Sequence, residues 1–457
     1  MGKRLERLHE RIGDFWWYSL MLFLACRAAD CTNAFVGLWL VPKYVSPEEL
    51  GAVAPLASFA SFLAIPVSVF AATFRNEFTR LAVTRRFGQL RTLMRAVFIA
   101  AGVFLVVAIL VSRFMLPLFL ERIRIVEGSL GMVILASSFV GAVAPVYTNA
   151  LQSLKKFGGY SFINLLGAPI RLATMLAAMP FRALTGYFVG QTATPAFNMI
   201  ASVLCLRREL SVKAEAYWTG DVVRRFAKLL AVFAANSAAV GLSSLVESLV
   251  LRQRLCDMDS AGYYMATRFS EIAGFLYASL AFTIFPFSAE LAAKGADMRP
   301  LLRRASAATL GFSALVAAPF FFIGRPVMEI LPHGAQYAAY WWATPWQIGI
   351  SALAGVAGLY TTAAISCERF GFLKWMIPLN LANAALLLAV TGYGYFRPWL
   401  PAEVSAFLAG HNITTLPAMM WWLTAAAVLR LVVALSAARP RRARPDGTSR
   451  EKATRRP

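Results

Sequence analysis

Arg27 and Asp30 stand three residues apart inside an apolar stretch, and Arg268 and Glu271 repeat that spacing 241 residues later. At i and i+3 the two side chains of each pair share one helix face. Each pair can neutralise itself as a local ion pair. Alternatively, each helix projects its arginine into a shared interior while the acid orients it. A charge in mid-membrane costs about 2.5–3.5 kcal/mol on insertion scales, so its presence needs a reason. The planar guanidinium fork suits phosphate and carboxylate. Arg171 lies between Pro169 and Met175 with no acid nearby, and Asn164 sits seven residues earlier on the same face. It either snorkels to the interface or joins the other arginines. Glu247 is open to two readings: a titrating group coupled to ion movement, or a partner for Arg252 or Arg254. Asn236 and Ser237 are polar positions on the same helix.

Other chemistry is excluded by what is missing. The three histidines, His9, His333 and His411, are far apart, and the five cysteines have no C-x-x-C spacing. Neither a metal centre nor a disulfide framework is expected. No cofactor is implied.

The elements that must position these residues are membrane helices. Of 457 residues, 59% are apolar and 15% charged, with mean hydropathy +0.60. A soluble domain is nearer 45–50% apolar and about 25% charged. Spans of about 20 residues are expected at 15–41, 50–74, 95–114, 129–153, 160–180, 184–206, 226–250, 261–288, 305–324, 338–364, 372–395 and 416–438. The fold class is thus an all-α polytopic membrane protein with about twelve spans. Prolines 66, 145, 169, 195, 286, 319, 345 and 378 predict kinks or breaks within them.

The net charge of +22 has its source in the loops. With the N-terminus inside, the inner segments hold 32 Lys/Arg and the outer ones nine. Both termini are therefore expected in the cytoplasm, in a multi-pass inner-membrane protein. The same accounting removes the need for a nucleic-acid partner. Residues 1–14 read as an uncleaved basic interfacial segment, because the apolar run that follows reaches Arg27 and Asp30 without a good cleavage site. Residues 439–457 read as a disordered basic tail that touches anionic lipid. Phe15-Trp16-Trp17-Tyr18 and the 340–346 aromatics read as interface anchors, with sugar stacking by Trp346 as the sharper option.

The halves resemble each other. With Gly51 set on Gly262, both start as an acidic outer loop, pass a Gly into a span, and leave through a basic loop. The repeats are parallel, which gives two six-helix bundles, 15–206 and 226–438, joined by a cytoplasmic linker at 207–225. Repeat transporters place substrate at the interface between halves.

The stretch DSAGYYMATRFSEIAGFLYASLAFTIFPFSAELAAKG (259–295) carries Gly262, Tyr264, Ala266, Arg268, Pro286, Ser288 and Glu290. In those places it resembles the eighth span of polysaccharide-repeat-unit and lipid II flippases of the multidrug/oligosaccharidyl-lipid/polysaccharide exporter superfamily. Residues 41–64 are similar to that family's first loop and second span. Residues 331–388, with Gly334, Tyr337 and the loop Glu368-Arg369-Phe370-Gly371, are similar to its tenth and eleventh spans. The acidic loop at 256–259 departs from the pattern. The resemblance implies two bundles related by a pseudo-two-fold axis and facing each other as a V. It also implies alternating access, no catalytic residue, and a cargo of sugar on a polyprenyl pyrophosphate. Arg27, Arg171 and Arg268 would meet the cargo, with Asp30, Glu247, Glu271 and Asn236 supporting or coupling. H+ or Na+ would be the coupling ion, and a monomer is expected. A drug or cation antiporter of the same superfamily is the alternative. A membrane polymerase or ligase is disfavoured, because the longest outer loop, 396–415, offers one His and one Glu.

Overall fold

The structure, a computed structural model, describes residues 27, 29–83, 86–122, 128–154, 156–293, 297–367, 369–391 and 415–437. The basic segment 1–14, the aromatic run at 15–18, most of loop 396–415, Glu368 and the tail 439–457 lie outside these residues. Every regular element among the described residues is helical.

The first described helical stretch runs to a π-helical turn, Val36–Leu40, followed by short helices Val41–Tyr44 and Pro47–Leu50. Long helices follow: α1 (Val53–Val83), α2 (Phe87–Arg122), α3 (Gly128–Ser153), α4 (Phe157–Ala178) and α5 (Ala183–Cys205). After the linker come α6 (Gly220–Arg254), α7 (Asp257–Ala293), α8 (Arg299–Ala317), α9 (Phe320–Ile330), α10 (Ala343–Ser366), α11 (Leu373–Thr391) and α12 (Leu416–Ala437). Each expected span from 50–74 onward finds its helix, and α1, α2, α6 and α7 extend beyond the apolar run into the polar flanks.

Among the described residues eight helices are long and apolar enough to cross a membrane, or nine if α8 and α9 form one bent span. The expected span at 305–324 is that pair, which turns by 61° where Pro319 stands between the two helices. Two helices at expected spans, α5 and α7, are not among these eight. They are the ones that bring Tyr187, Gln191, Arg268 and Glu271 to the interior. Proline does not break the others: Pro66, Pro145, Pro169, Pro195 and Pro378 are each enclosed within one continuous helix. Pro345 stands in the first turn of α10, where its missing N–H costs no helical bond.

Helices α1 to α5 pack among themselves, as do α6 to α12. The groups touch along α1 and α6, where Gly241 lies against Ile65 and Phe62. They touch again where Pro47–Leu50 and the π-helical turn meet α7. A Cβ on Gly51 would come 2.6 Å from Ser260 Cβ, so this crossing depends on glycine. At this end one buried core contains Leu50, Leu56 and Tyr187 from the first group and Tyr264, Phe269 and Tyr337 from the second. At the opposite end the described core divides. Leu81, Leu93 and Leu151 cluster with Tyr217 and Phe226, whereas Ile284, Leu302 and Leu359 form a separate cluster in the second group. Burial thus joins the groups broadly at the Gly51 end, and at the linker end it joins the first group to the start of α6 through Tyr217 and Phe226.

The linker is strapped to the first group. Arg91 donates to the Val212 carbonyl at 2.7 Å, Thr92 to the Glu215 carbonyl at 2.6 Å, and Glu215 N–H to Gly88 O at 3.2 Å. Lys156 pairs with Glu209 at 2.8 Å. Burial alone would raise the Glu209 carboxyl, but the hydrogen bond and charge of Lys156 outweigh it and hold the group below its ordinary value.

Candidate functional site

A cavity of about 460 Å³ opens between the two groups. Asn33, Val36 and Gly37 line it from the first described stretch, Arg171 from α4, and Tyr187 and Gln191 from α5. Arg268, Glu271, Gly274, Phe275 and Tyr277 line it from α7. Its volume lies in the range of small-ligand pockets.

Arg268 and Glu271 do pair: Nη1 lies 2.8 Å from Oε1 and 3.0 Å from Oε2. The pairing does not withdraw them from the cavity, which both line. The Arg268 stem runs over Gly37, where a Cβ would stand 2.6 Å from its Cδ, and its guanidinium lies 4.8 Å from the Tyr264 ring centroid. Tyr264 in turn donates to the Gly37 carbonyl at 3.4 Å. The π-helical turn and this glycine together make room for the arginine.

Arg171 reaches the same cavity from the opposite group. It donates through Nη1 to Asn33 Oδ1, which holds the fork in place. The snorkelling alternative is thereby set aside. The Nε atoms of both Arg171 and Arg268 are buried without a hydrogen-bond partner. Two cationic side chains from opposite groups line the cavity together with one carboxylate, Glu271. The lining carries net positive charge.

Arg27 and Asp30 form their pair at 3.0 Å. Arg27 lies 5.5 Å from the centroid of the cavity-lining Phe275 ring and is not itself among the lining residues.

Glu247 lies elsewhere. It pairs neither with Arg252, which bonds Asp257 at 2.7 Å, nor with the end of α6. Its partner is Arg430 of α12, at 2.7 Å. Around this pair Asn383 donates to Glu247 Oε1 and to Ser243 Oγ, both at 2.8 Å. Arg430 Nε donates to Asn380 Oδ1 at 2.9 Å, and Trp422 Nε1 to Asn383 Oδ1 at 2.9 Å. The network ties α6, α11 and α12 together inside the second group. Sequence spacing could not bring residues 247 and 430 together. The signal was present, though: an arginine and two asparagines in apolar spans need partners. Asn236 has a buried Oδ1 without a partner and does not line the cavity. Trp346 is also accounted for: its Nε1 donates to Thr424 at 2.9 Å and its ring packs edge-on to Trp421 at 5.1 Å, within the second group.

No protein-family model matches the chain, and no curated protein matches its sequence. Solved structures do resemble it. An outward-facing multidrug resistance MATE family transporter of the MOP superfamily aligns with TM-score 0.60 and 13% identity, over 96% of this chain and 95% of that one. The lipid II flippase MurJ in an inward closed conformation aligns with TM-score 0.58 and 12% identity, over 92% of this chain and 87% of that one. A MOP superfamily transporter from Pyrococcus furiosus, described by the reverse polarity of its binding pocket, aligns with TM-score 0.58 and 12% identity over 92% of each chain. This chain shares the fold of these solved structures. It is a multi-pass helical membrane protein in which the cavity lies between the two helix groups.

Proposed function

We propose that this protein moves a lipid-linked oligosaccharide, carried on a polyprenyl diphosphate, across the cytoplasmic membrane by alternating access. The observation that carries the reading is the pair Arg171 and Arg268: two guanidinium groups from opposite helix groups lining one cavity. A diphosphate supplies acceptors for both. The polyprenyl tail stays in lipid, and only the polar head needs a wet cationic passage. A ligand held from both groups favours the conformation in which both forks reach it, and such differential affinity is what shifts a two-state equilibrium. No chemical bond changes, so no catalytic residue is required and the protein is not an enzyme.

The positive-inside asymmetry puts the linker end in the cytoplasm and the joined Gly51 end outside. The accessible acid for a coupling H+ or Na+ is Glu271, because Glu247 is engaged by Arg430, Asn383 and Ser243. A monomer suffices, since both halves of the cavity come from one chain. Accessibility mapping of tags at residue 457 and within 396–415 is expected to put the two on opposite faces of the membrane; the same face overturns the topology.

A second reading is a drug or cation antiporter. The Glu271 side chain, 41% exposed and lining the cavity, favours it. Proteoliposomes separate the two. Transbilayer movement of a glucosyl polyprenyl diphosphate, with no uptake of ethidium, is expected. Ethidium movement without movement of the anionic lipid overturns the proposal and establishes the antiporter.

A further inference from the structure

A second recess, of about 430 Å³, opens at the start of α8, where Asp297, Arg299, Pro300, Arg303 and Arg304 line it. The turn is held from behind. Met298 and Leu302 are buried with Ile284 and Leu359, and Met298 Sδ lies 3.5 Å from Cys367 Sγ. The three arginines themselves are exposed. Asp297, the one acid of the lining, accepts from the Arg299 N–H at 3.0 Å. Among the described residues none of the three guanidinium groups has an acid within ion-pair distance. Three arginines against one aspartate leave the recess with net positive charge and no anion to answer it.

The rest of α8 shows what surrounds the recess. Its protein-facing side is Leu302, Ala305, Thr309 and Ser313, the last two polar. Its outer side continues from Arg303 and Arg304 as Ala307, Ala308, Gly311, Ala314 and Leu315, all exposed. Leu315 is 70% exposed, and a Cβ on Gly311 would meet nothing within 4 Å. A surface helix in water turns its polar side outward. Here the outward side is apolar, on a helix that forms one bent candidate span with α9, so that side is turned to lipid. Arg304 and Leu315 are eleven residues apart, about 16 Å of helix rise. That is about the depth of one leaflet, half of a hydrocarbon core about 30 Å thick. The arginines therefore stand at the level of the headgroups.

We infer that this recess binds the headgroup of an anionic phospholipid of the surrounding bilayer. The guanidinium groups of Arg299, Arg303 and Arg304 take the phosphate, which their forks suit. An acyl chain lies along the 307–315 face. Charge selects the lipid. A zwitterionic headgroup brings its own cation against the arginines, whereas phosphatidylglycerol brings none, and basic residues at a membrane surface attract anionic lipid. A free phosphate would meet the same arginines but gain nothing from the apolar face beside them. The site is separate from the cavity between the helix groups and does not depend on what the protein transports.

The test is retention of single lipids by the purified full chain in native mass spectrometry, with dioleoylphosphatidylglycerol and dioleoylphosphatidylcholine as probes. Wild-type protein is expected to hold its first phosphatidylglycerol about tenfold more tightly than phosphatidylcholine. The triple variant Arg299→Gln, Arg303→Gln, Arg304→Gln is expected to bring the two lipids within about twofold. Its melting temperature in phosphatidylcholine is expected to match wild type, because all three side chains are exposed. Removing as many charges from the tail, with Arg441→Gln, Arg442→Gln and Arg444→Gln, is expected to leave a preference of at least about fivefold. Excess inorganic phosphate is expected not to displace the lipid. Equal affinity of wild-type protein for the two lipids overturns the site, as does a full preference in the α8 variant. A loss in the tail variant as large as in the α8 variant also overturns it, since overall charge would then explain the binding. Displacement by inorganic phosphate would make the recess a site for free anions and overturn the lipid assignment.

Discussion

Arg268→Ala is expected to insert and fold but to lose transport. Truncating one partner of a buried charge-assisted contact costs about 2–5 kcal/mol, which removes most cargo affinity at any ordinary concentration. Arg268→Lys is expected to keep partial activity, because it retains the charge and loses the fork. The informative variant is the double change Arg268→Leu with Glu271→Leu. If the pair at 2.8 Å only neutralises itself, deleting both groups leaves no unpaired charge and restores function. If Arg268 holds cargo, the double variant inserts well and stays inactive. Arg268 lines the cavity, so the second outcome is expected. The measurement is transbilayer movement of the glucosyl lipid in proteoliposomes, with protein level checked in parallel. Normal movement by the double variant would show Arg268 to be structural.

Arg430→Leu should damage the protein in a different way. It strands Glu247, 14% exposed, among α6, α11 and α12 with only Asn383 and Ser243 as donors. Removing one member of a buried pair costs about 3–5 kcal/mol, a large part of the stability of any fold. Little monodisperse protein is expected on size-exclusion chromatography. The double variant Arg430→Leu with Glu247→Leu is expected to recover a sharp melting transition and to transport, since no charge remains to be buried. A stable double variant whose transport no longer responds to an ion gradient would instead make Glu247 the coupling group.

The arginines illustrate how far spacing reaches. Residues three apart on a helix share a face whatever the fold, so the Arg27–Asp30 and Arg268–Glu271 pairs were legible from the chain. Glu247 was not. Its sequence neighbours Arg252 and Arg254 offered a nearby answer, and the partner came from α12, more than 180 residues on. The aromatics divide the same way. Trp346 looked available for a sugar, yet it is spent on Thr424 and Trp421, while Phe275 and Tyr277, which line the cavity, carried no signal to separate them from other span aromatics.

What the sequence determined by itself was the class of molecule. Its composition and periodic apolar runs demand membrane helices, because backbone groups in lipid must be satisfied within the segment, and the helices found from residue 53 onward overlap the expected spans. What only the tertiary structure decided was which polar side chains share a space. Arg171 and Arg268 lie almost one hundred residues apart on helices of opposite groups, and nothing along the chain links the lone charge at 171 to the ion pair at 268 and 271. Their convergence depends on how α4, α5 and α7 cross and on the closeness that Gly37 permits under Arg268. Packing of that kind is set by side-chain shape across the interface between helices, and no local pattern along one chain encodes it.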